Sequence, residues 1–378
     1  MKTKNIKTYF LGKITYEKKP YFQRKNYVCI TDTAKDIRGY AGVILKQNNY
    51  IPKLLNKTPV LFDIMENDIE EFQEDDIIFV DVNGKYRIVW DIDSEQNSLL
   101  FTEACNCCCQ MCPQPLQKHN KSYLVIAKKT LSLLDPNKTK TICLTGGEPT
   151  LFENDFLEIL QICKKKFSQA NIILLTNGKK FSSFDFTKKM TQIGLEKLLI
   201  CISLHADTDN LHDNIVGVKG SFAQTIKGLY NLAKFQHQIE IRFVISNLNY
   251  KRMESFSYFL FRNFPFLSHI AFMGMEVTGY ALNNYEKLWI DPFLYRTELK
   301  KAVHDLNRKA MNVSIYNIPH CLLERDSWEF SRQSISSWKN AFLVNCSNCS
   351  YKNDCCGIFT TSNTYQSSYI SPISSPLN

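Results

Sequence analysis

Five cysteines fall within eight positions in Cys105-Asn106-Cys107-Cys108-Cys109-Gln110-Met111-Cys112. A single register among them gives C-x3-C-x2-C, with Cys105, Cys109 and Cys112. Three thiolates on a short loop can each hold one iron of a cubane 4Fe-4S cluster, whose usual protein ligands are cysteine thiolates. A cluster with three protein ligands keeps its fourth iron open to a substrate or cofactor. A structural zinc site asks for four ligands, normally as two paired half-sites. The nearest candidate half-site here lies more than 200 residues away. A disulfide knot asks for an oxidising compartment. The chain has fourteen cysteines, and its first residues are basic without the apolar run of a signal peptide. The expectation is a cytoplasmic protein whose thiols serve metal or redox chemistry. Cys107 and Cys108 have no role in this reading.

Other polar groups recur at the ends of apolar runs. Gly146-Gly147-Glu148-Pro149 follows Thr141-Ile142-Cys143-Leu144-Thr145. Two glycines permit close backbone approach, and Glu148 offers an acceptor for an ammonium group; a plain Gly-Gly turn ahead of a helix is the alternative. Thr176-Asn177-Gly178 and Ser203-Leu204-His205-Ala206 end two further runs, and Arg242 lies within a third. His205 reads equally as a packed or surface histidine, and Arg242 equally as a sheet-face ion pair. A second group of thiols, Cys321, Cys346, Cys349 and Cys355, could saturate a metal, with Cys356 able to replace Cys355. Cys29, Cys143, Cys163 and Cys201 sit in apolar patterns and read as small core residues.

These residues need elements to hold them. Strand-like runs at 98–102, 141–145, 171–176, 198–204, 239–245 and 269–274 alternate with helix-like stretches such as 153–163. Continuous apolar strands separated by helices predict a parallel sheet. Six such units predict a partial (β/α)6 barrel of the TIM type, with chemistry at the C-terminal ends of its strands. Residues 1–95 hold short apolar runs with a hairpin signal at Asn83-Gly84 and read as a β-rich N-terminal domain. The core barrel is placed at 96–290 and a cysteine-bearing C-terminal extension at 291–378. That extension begins as a helix, returns to a strand-like run at 312–316, and ends in a tail expected to be irregular or mobile.

C-x3-C-x2-C just after a strand, with hydrophobic Met111 before its last cysteine and GGEP after the next strand, resembles the radical S-adenosylmethionine (SAM) superfamily. The resemblance implies a 4Fe-4S cluster on Cys105, Cys109 and Cys112 with SAM at its open iron. It implies that Gly146, Gly147 and Glu148 bind the methionine amino group. Asn177 and Ser203 become SAM contacts, Arg242 a partner for its carboxylate or ribose, and 273–280 the adenine side. Cys346-x2-Cys349-x5-Cys355 resembles part of the auxiliary-cluster (SPASM or twitch) extensions of radical SAM peptide maturases. This implies an auxiliary 4Fe-4S cluster on Cys321, Cys346, Cys349 and Cys355, with zinc as the alternative. The seven-cysteine pattern of a full SPASM domain is absent.

The combination is narrower still. Asn97 to Asn106, Met111-Cys112-Pro113-Gln114-Pro115, Ser314-Ile315-Tyr316-Asn317, the 332–340 stretch and Cys356-Gly357-Ile358-Phe359 together resemble the His-Xaa-Ser system radical SAM maturase, C-type member. One departure is Cys356-Gly357, where that family has a Gly-Gly pair. The resemblance implies modification of a small precursor with His-Xaa-Ser repeats. Its expected partners are a second radical SAM protein, a small accessory protein and an electron donor. Two other readings stay open: a non-catalytic iron–sulfur partner of another maturase, and radical SAM chemistry on tRNA or a small molecule. The net charge of +9 is spread along the chain without an aromatic-interleaved basic motif, which disfavours nucleic acid. No run approaches the roughly 20 apolar residues of a membrane helix.

Overall fold

The computed structural model describes residues 2–33, 35–46, 58–62, 72–114, 123–334, 339–362 and 365–374. Pro115 and residues 335–338 of the late motif lie outside them. The chain divides into two compact units, residues 1–100 with 123–142, and residues 101–122 with 143–378.

The first unit is built on strands β1 (Lys2–Lys4), β2 (Phe10–Thr15), β3 (Tyr27–Thr31), β4 (Gly42–Leu45), β5 (Val60–Phe62), β6 (Ile77–Val80) and β7 (Tyr86–Trp90). They form one sheet in the order β1-β5-β4-β3-β2-β6-β7. The middle pairings β2/β3, β3/β4 and β4/β5 are parallel, and β6 and β7 form an antiparallel hairpin. Its turn is the Asn83-Gly84 turn, with Gly84 at φ +83 and its amide donating to the Asp81 carbonyl. Val28, Ile30 and Ile44 pack on one face of the sheet, and Cys29, Val43 and Leu45 on the other. Two buried faces explain why these strands read as unbroken apolar runs.

β8 (Ser98–Leu100) also belongs to the first unit. In the second unit a sheet runs in chain order from β9 (Thr141–Thr145) through β10 (Asn171–Thr176), β11 (Leu198–Ser203), β12 (Gln238–Val244), β13 (His269–Met273) and β14 (Val313–Tyr316) to β15 (Ser331–Arg332). The pairings from β10 to β15 are all parallel. This is the expected α/β partial-barrel fold. It is longer than six strands, because β14 and β15 continue the sheet beyond β13.

Helices α1 (Leu124–Leu133), α2 (Glu153–Lys166), α3 (Phe184–Gln192), α4 (Asp209–Val216), α5 (Ser221–Lys234) and α6 (Met253–Asn263) fall between these strands. In α2, Phe156, Ile159, Leu160 and Cys163 recur at helical spacing and are buried. Glu153 and Asp155 occupy its first turn and Lys164–Lys166 its last, each with the sign the helix dipole favours. Along β12, Ile239, Ile241 and Phe243 alternate with Glu240 and Arg242. Phe243 packs against Phe256 of α6 at 4.5 Å, so the apolar set faces the helices and the charged set faces away from them.

The tail is irregular, as expected, and ring contacts fasten it. Tyr365 lies 4.8 Å from Tyr285, and Tyr369 stacks on Phe293 at 4.1 Å with their planes 6° apart. Residues 365–374 are thus held by ring contacts rather than loose. Among the described residues, no helix is long and apolar enough to cross a membrane.

Candidate active site

The cysteine loop is held in place by backbone contacts. Cys108 N donates to Val216 O at 2.9 Å and Gln110 N to Ile215 O at 2.9 Å, both at the end of α4. Further along, Tyr280 N donates to Cys112 O at 2.8 Å and Asn284 Nδ2 to Gln110 O at 3.0 Å. Met111 is buried with Ile215, Met275 and Val277, packing behind the loop. Gly146 and Gly147 complete the attachment. Gly147 N donates to Thr102 O at 2.7 Å and Glu148 N to Ala104 O at 2.8 Å. A Cβ on Gly146 would stand 2.3 Å from Thr102 O, and one on Gly147 2.2 Å from Ala104 O. The two glycines are therefore needed for the close approach of the cysteine loop itself.

Glu148 is 1% exposed. Its Oε1 accepts from Thr150 N at 3.0 Å, Thr150 Oγ1 at 2.6 Å and Thr176 Oγ1 at 2.8 Å, and its Oε2 from Asn177 N at 2.7 Å. Burial pushes its pKa up, and these four donors oppose that shift. All four contacts are internal, so the carboxylate fastens the ends of β9 and β10 together.

Asn177 and Lys179 reach back to the loop. Asn177 Nδ2 donates to Asn106 Oδ1 at 2.7 Å and lies 3.6 Å from Cys107 Sγ. Lys179 is buried, with Nζ 3.2 Å from Asn106 O and 3.7 Å from Cys107 Sγ. The sequence reading missed Lys179. Its only signal was its place just after the Thr176-Asn177-Gly178 strand end.

The thiols divide in an unexpected way. Cys107 is buried, and its backbone amide donates to Cys105 Sγ at 3.4 Å. The neighbouring Cys105 and Cys109 thiols hold the Cys107 pKa down, and Cys107 pushes theirs up. Cys112 Sγ donates to Gln114 O at 2.9 Å, and Cys108 is exposed. The structure thus sets Cys107 beside Cys105 and turns Cys112 to its own loop. Five thiols, with Met111 buried behind them and no carboxylate in the segment, form a soft donor set that fits iron–sulfur chemistry.

Ser203 and Arg242 are register partners on β11 and β12, near the C-terminal edge of the sheet. Ser203 is half-buried, and its hydroxyl makes no hydrogen bond among the described residues. Arg242 Nε donates to Glu240 Oε1 at 2.6 Å. Glu240 Oε2 meets His269 Nδ1 at 2.8 Å, and His269 Nε2 meets Ser314 Oγ at 2.9 Å. Tyr316 donates its hydroxyl to Glu240 at 3.3 Å. Burial alone would raise the Glu240 pKa, but His269 and Arg242 carry it down to about 2. The sheet-face ion pair is therefore present, and the sequence reading missed its extension to His269 and Ser314. His205 is buried, and its ring stacks on that of His212 with centroids 6.0 Å apart, which matches the packed alternative.

Cys321, Cys346, Cys349 and Cys355 line one cavity, walled by apolar side chains that include Phe342 and Ile358. Two short strands, β16 (Asn340–Ala341) and β17 (Ile358–Phe359), pair beside it. A hydrogen bond from Cys356 draws the Cys355 pKa down to about 6. Cys356 itself is buried, donates its thiol to Gly357 O at 3.5 Å and does not line the cavity. The geometry therefore favours Cys355 of the two as a ligand. Among the described residues, no three His, Cys, Asp or Glu side chains meet closely enough to hold a single metal ion.

Residues 99–256 match the model of the radical SAM superfamily. This segment is a radical SAM domain. The superfamily implies a 4Fe-4S cluster and SAM. Over 150 residues the chain is 34% identical to the antilisterial bacteriocin subtilosin biosynthesis protein AlbA of Bacillus subtilis, covering 39% of this chain and 32% of AlbA. Over 152 residues it is 25% identical to the Fe-coproporphyrin III synthase of Methanosarcina barkeri, covering 39% of this chain and 36% of that one. The chain thus spans about a third of the length of these relatives. A crystal structure of Streptococcus suis SuiB bound to S-adenosylmethionine is similar over 58% of this chain and 49% of its own, with a TM-score of 0.47 and 16% identity.

Proposed function

We propose that this protein is a radical SAM maturase that modifies a peptide or small protein. The observation that carries the reading is the five-cysteine loop fastened by Gly146, Gly147 and Glu148 at the C-terminal edge of a parallel sheet. That edge is where a sheet of this kind presents its chemistry. When bound, the reduced cluster and SAM supply a 5′-deoxyadenosyl radical able to remove a hydrogen atom from a peptide carbon.

Cys105, Cys109 and Cys112 are the proposed cluster ligands. Glu148, Asn177 and Lys179 position their loop. Ser203 and Arg242 are proposed to orient SAM, Arg242 being held for that task by Glu240. Cys321, Cys346, Cys349 and Cys355 are proposed to hold an auxiliary 4Fe-4S cluster. Thiols set around a cavity suit a cluster that takes one thiolate per iron, better than a zinc ion that needs all four within about 2.3 Å. In this reading 1–95, 96–290 and 291–378 are the N-terminal, radical SAM and auxiliary-cluster regions. The substrate is a precursor with His-Xaa-Ser repeats, and a second radical SAM protein and an electron donor assist in the cytoplasm.

Anaerobically reconstituted protein with SAM and reductant should yield 5′-deoxyadenosine, and Cys109→Ala should abolish it. Absence of that product from the intact protein would refute the enzymatic reading. Mass spectrometry of a co-expressed His-Xaa-Ser precursor tests the substrate. The similarity to Fe-coproporphyrin III synthase supports a second reading, a small-molecule substrate. Product formation that no precursor peptide alters would favour it.

A further inference from the structure

The uncharged tail reaches the four-cysteine cavity. Ile373 N donates to Cys349 Sγ at 3.4 Å, and Ser350 N returns a hydrogen bond to Ile373 O at 2.9 Å. Cys321 and Ser371 line the same cavity. Ile370, Pro372 and Ile373 line the same cavity as the four thiols. Just upstream, Tyr369 is fixed on Phe293, which also carries the Arg296 guanidinium 3.4 Å from its ring centroid. Anchor, amide and apolar wall thus fall together within five residues.

We infer that residues 370–373 are a working part of the four-cysteine site: the Ile373 amide holds the sulfur of Cys349, and the side chains of the segment keep water from the thiols. The inference rests on the auxiliary-cluster reading above. Hydrogen bonds to cluster sulfurs and solvent exposure are two of the quantities that set an iron–sulfur potential. An N–H donor stabilises the sulfur that gains negative charge on reduction. Ile373 is then a positioning residue acting through its backbone, and the tail sets both the potential and the oxygen tolerance of whatever cluster those thiols hold.

The test uses the full chain carrying Cys105→Ser, Cys109→Ser and Cys112→Ser, so that the remaining cluster signal belongs to this site. Ile373→Pro deletes the amide donor, Ile373→Ala trims the wall and keeps the amide, and Ile373→Val is the conservative control. A chain ending at Ile370 removes the Ile373 amide together with most of the wall and keeps the Tyr369 anchor. Iron content, a redox titration and the decay of cluster absorbance in air are read for each. The expected results are a lower potential for Ile373→Pro alone among the point variants, and several-fold faster decay for Ile373→Pro and the shortened chain. Alkylation of Cys349 in the iron-free chains, followed by mass spectrometry, should be several-fold faster without the tail, whether or not a cluster can be loaded. Unchanged potential, decay and alkylation would overturn the inference. Failure of the underlying reading looks different. In the natural chain, Cys346→Ser with Cys349→Ser would leave the iron content unaltered, and the inference would fall with it.

Discussion

Glu148 Oε2 accepts the backbone amide of Asn177 at 2.7 Å, tying the end of β9 to the end of β10 beneath the cysteine loop. Each of the two residues also grips that loop directly, Glu148 through its amide to Ala104 O and Asn177 through its side chain to Asn106. Glu148→Ala strips acceptors from two hydroxyls and two amides in a buried place. The expected cost is about 3 kcal/mol, as for removal of charged hydrogen-bond partners. Thermal melts of the iron-free protein should show the loss, and reconstituted protein should retain less iron. Glu148→Gln should not restore stability, because its NH2 group faces donors.

Gly147→Ala should be harmful for a different reason. The new methyl would lie 2.2 Å from Ala104 O, a backbone atom that cannot swing aside. Overpacking of this sort costs about 1–3 kcal/mol or displaces the neighbour. The neighbour here is the cysteine loop, so iron content should fall more than the melting temperature does.

Cys107 and Cys108 separate by environment. Cys108 is exposed, and Cys108→Ser should leave iron content and stability unchanged. Cys107→Ser should also leave the iron count unchanged if Cys105, Cys109 and Cys112 are the ligands. Iron loss in Cys107→Ser, with retention in Cys112→Ser, would replace Cys112 by Cys107 in the ligand set.

Acid should destabilise the fold through a histidine pair. Burial lowers the pKa of His205 to about 3 and of His212 to about 4. Below about 6.5 the unfolded chain takes up these protons and the folded chain does not. Stability should therefore fall as pH drops from 6.5, by up to about 1.4 kcal/mol per pH unit for each histidine, and the slope should flatten below the folded values. Melts of iron-free His205→Gln/His212→Gln across pH 7 to about 4.5 should show a shallower decline than the natural chain.

Much of this arrangement was legible in the residues. The parallel strands could be read because they are buried on both faces and so are unbroken apolar runs. The Asn83-Gly84 turn could be read because its φ requirement restricts residue choice. The loop carrying Cys105 announced itself by spacing. Direction was harder to see. A lysine after a glycine reads as solvated, yet Lys179 turns inward because Asn106 O and Cys107 await it. Glu148 reads as a ligand contact, and its hydrogen bonds to Thr150, Thr176 and Asn177 emerge only in the fold. The tail reads as loose because its composition is polar, and its partners, Tyr285 and Phe293, lie some 80 residues earlier.

The attachments of the cysteine loop carry a consequence for how the protein is made. Gln110 O is held by Asn284, 174 residues further along, and Cys112 O by Tyr280. Both partners lie beyond β13. A nascent chain that has emerged only as far as β11 exposes all five thiols of the loop but lacks these two restraints. Contacts of such long sequence separation form late in folding. These two restraints on the loop are therefore available only once the ribosome has passed Asn284.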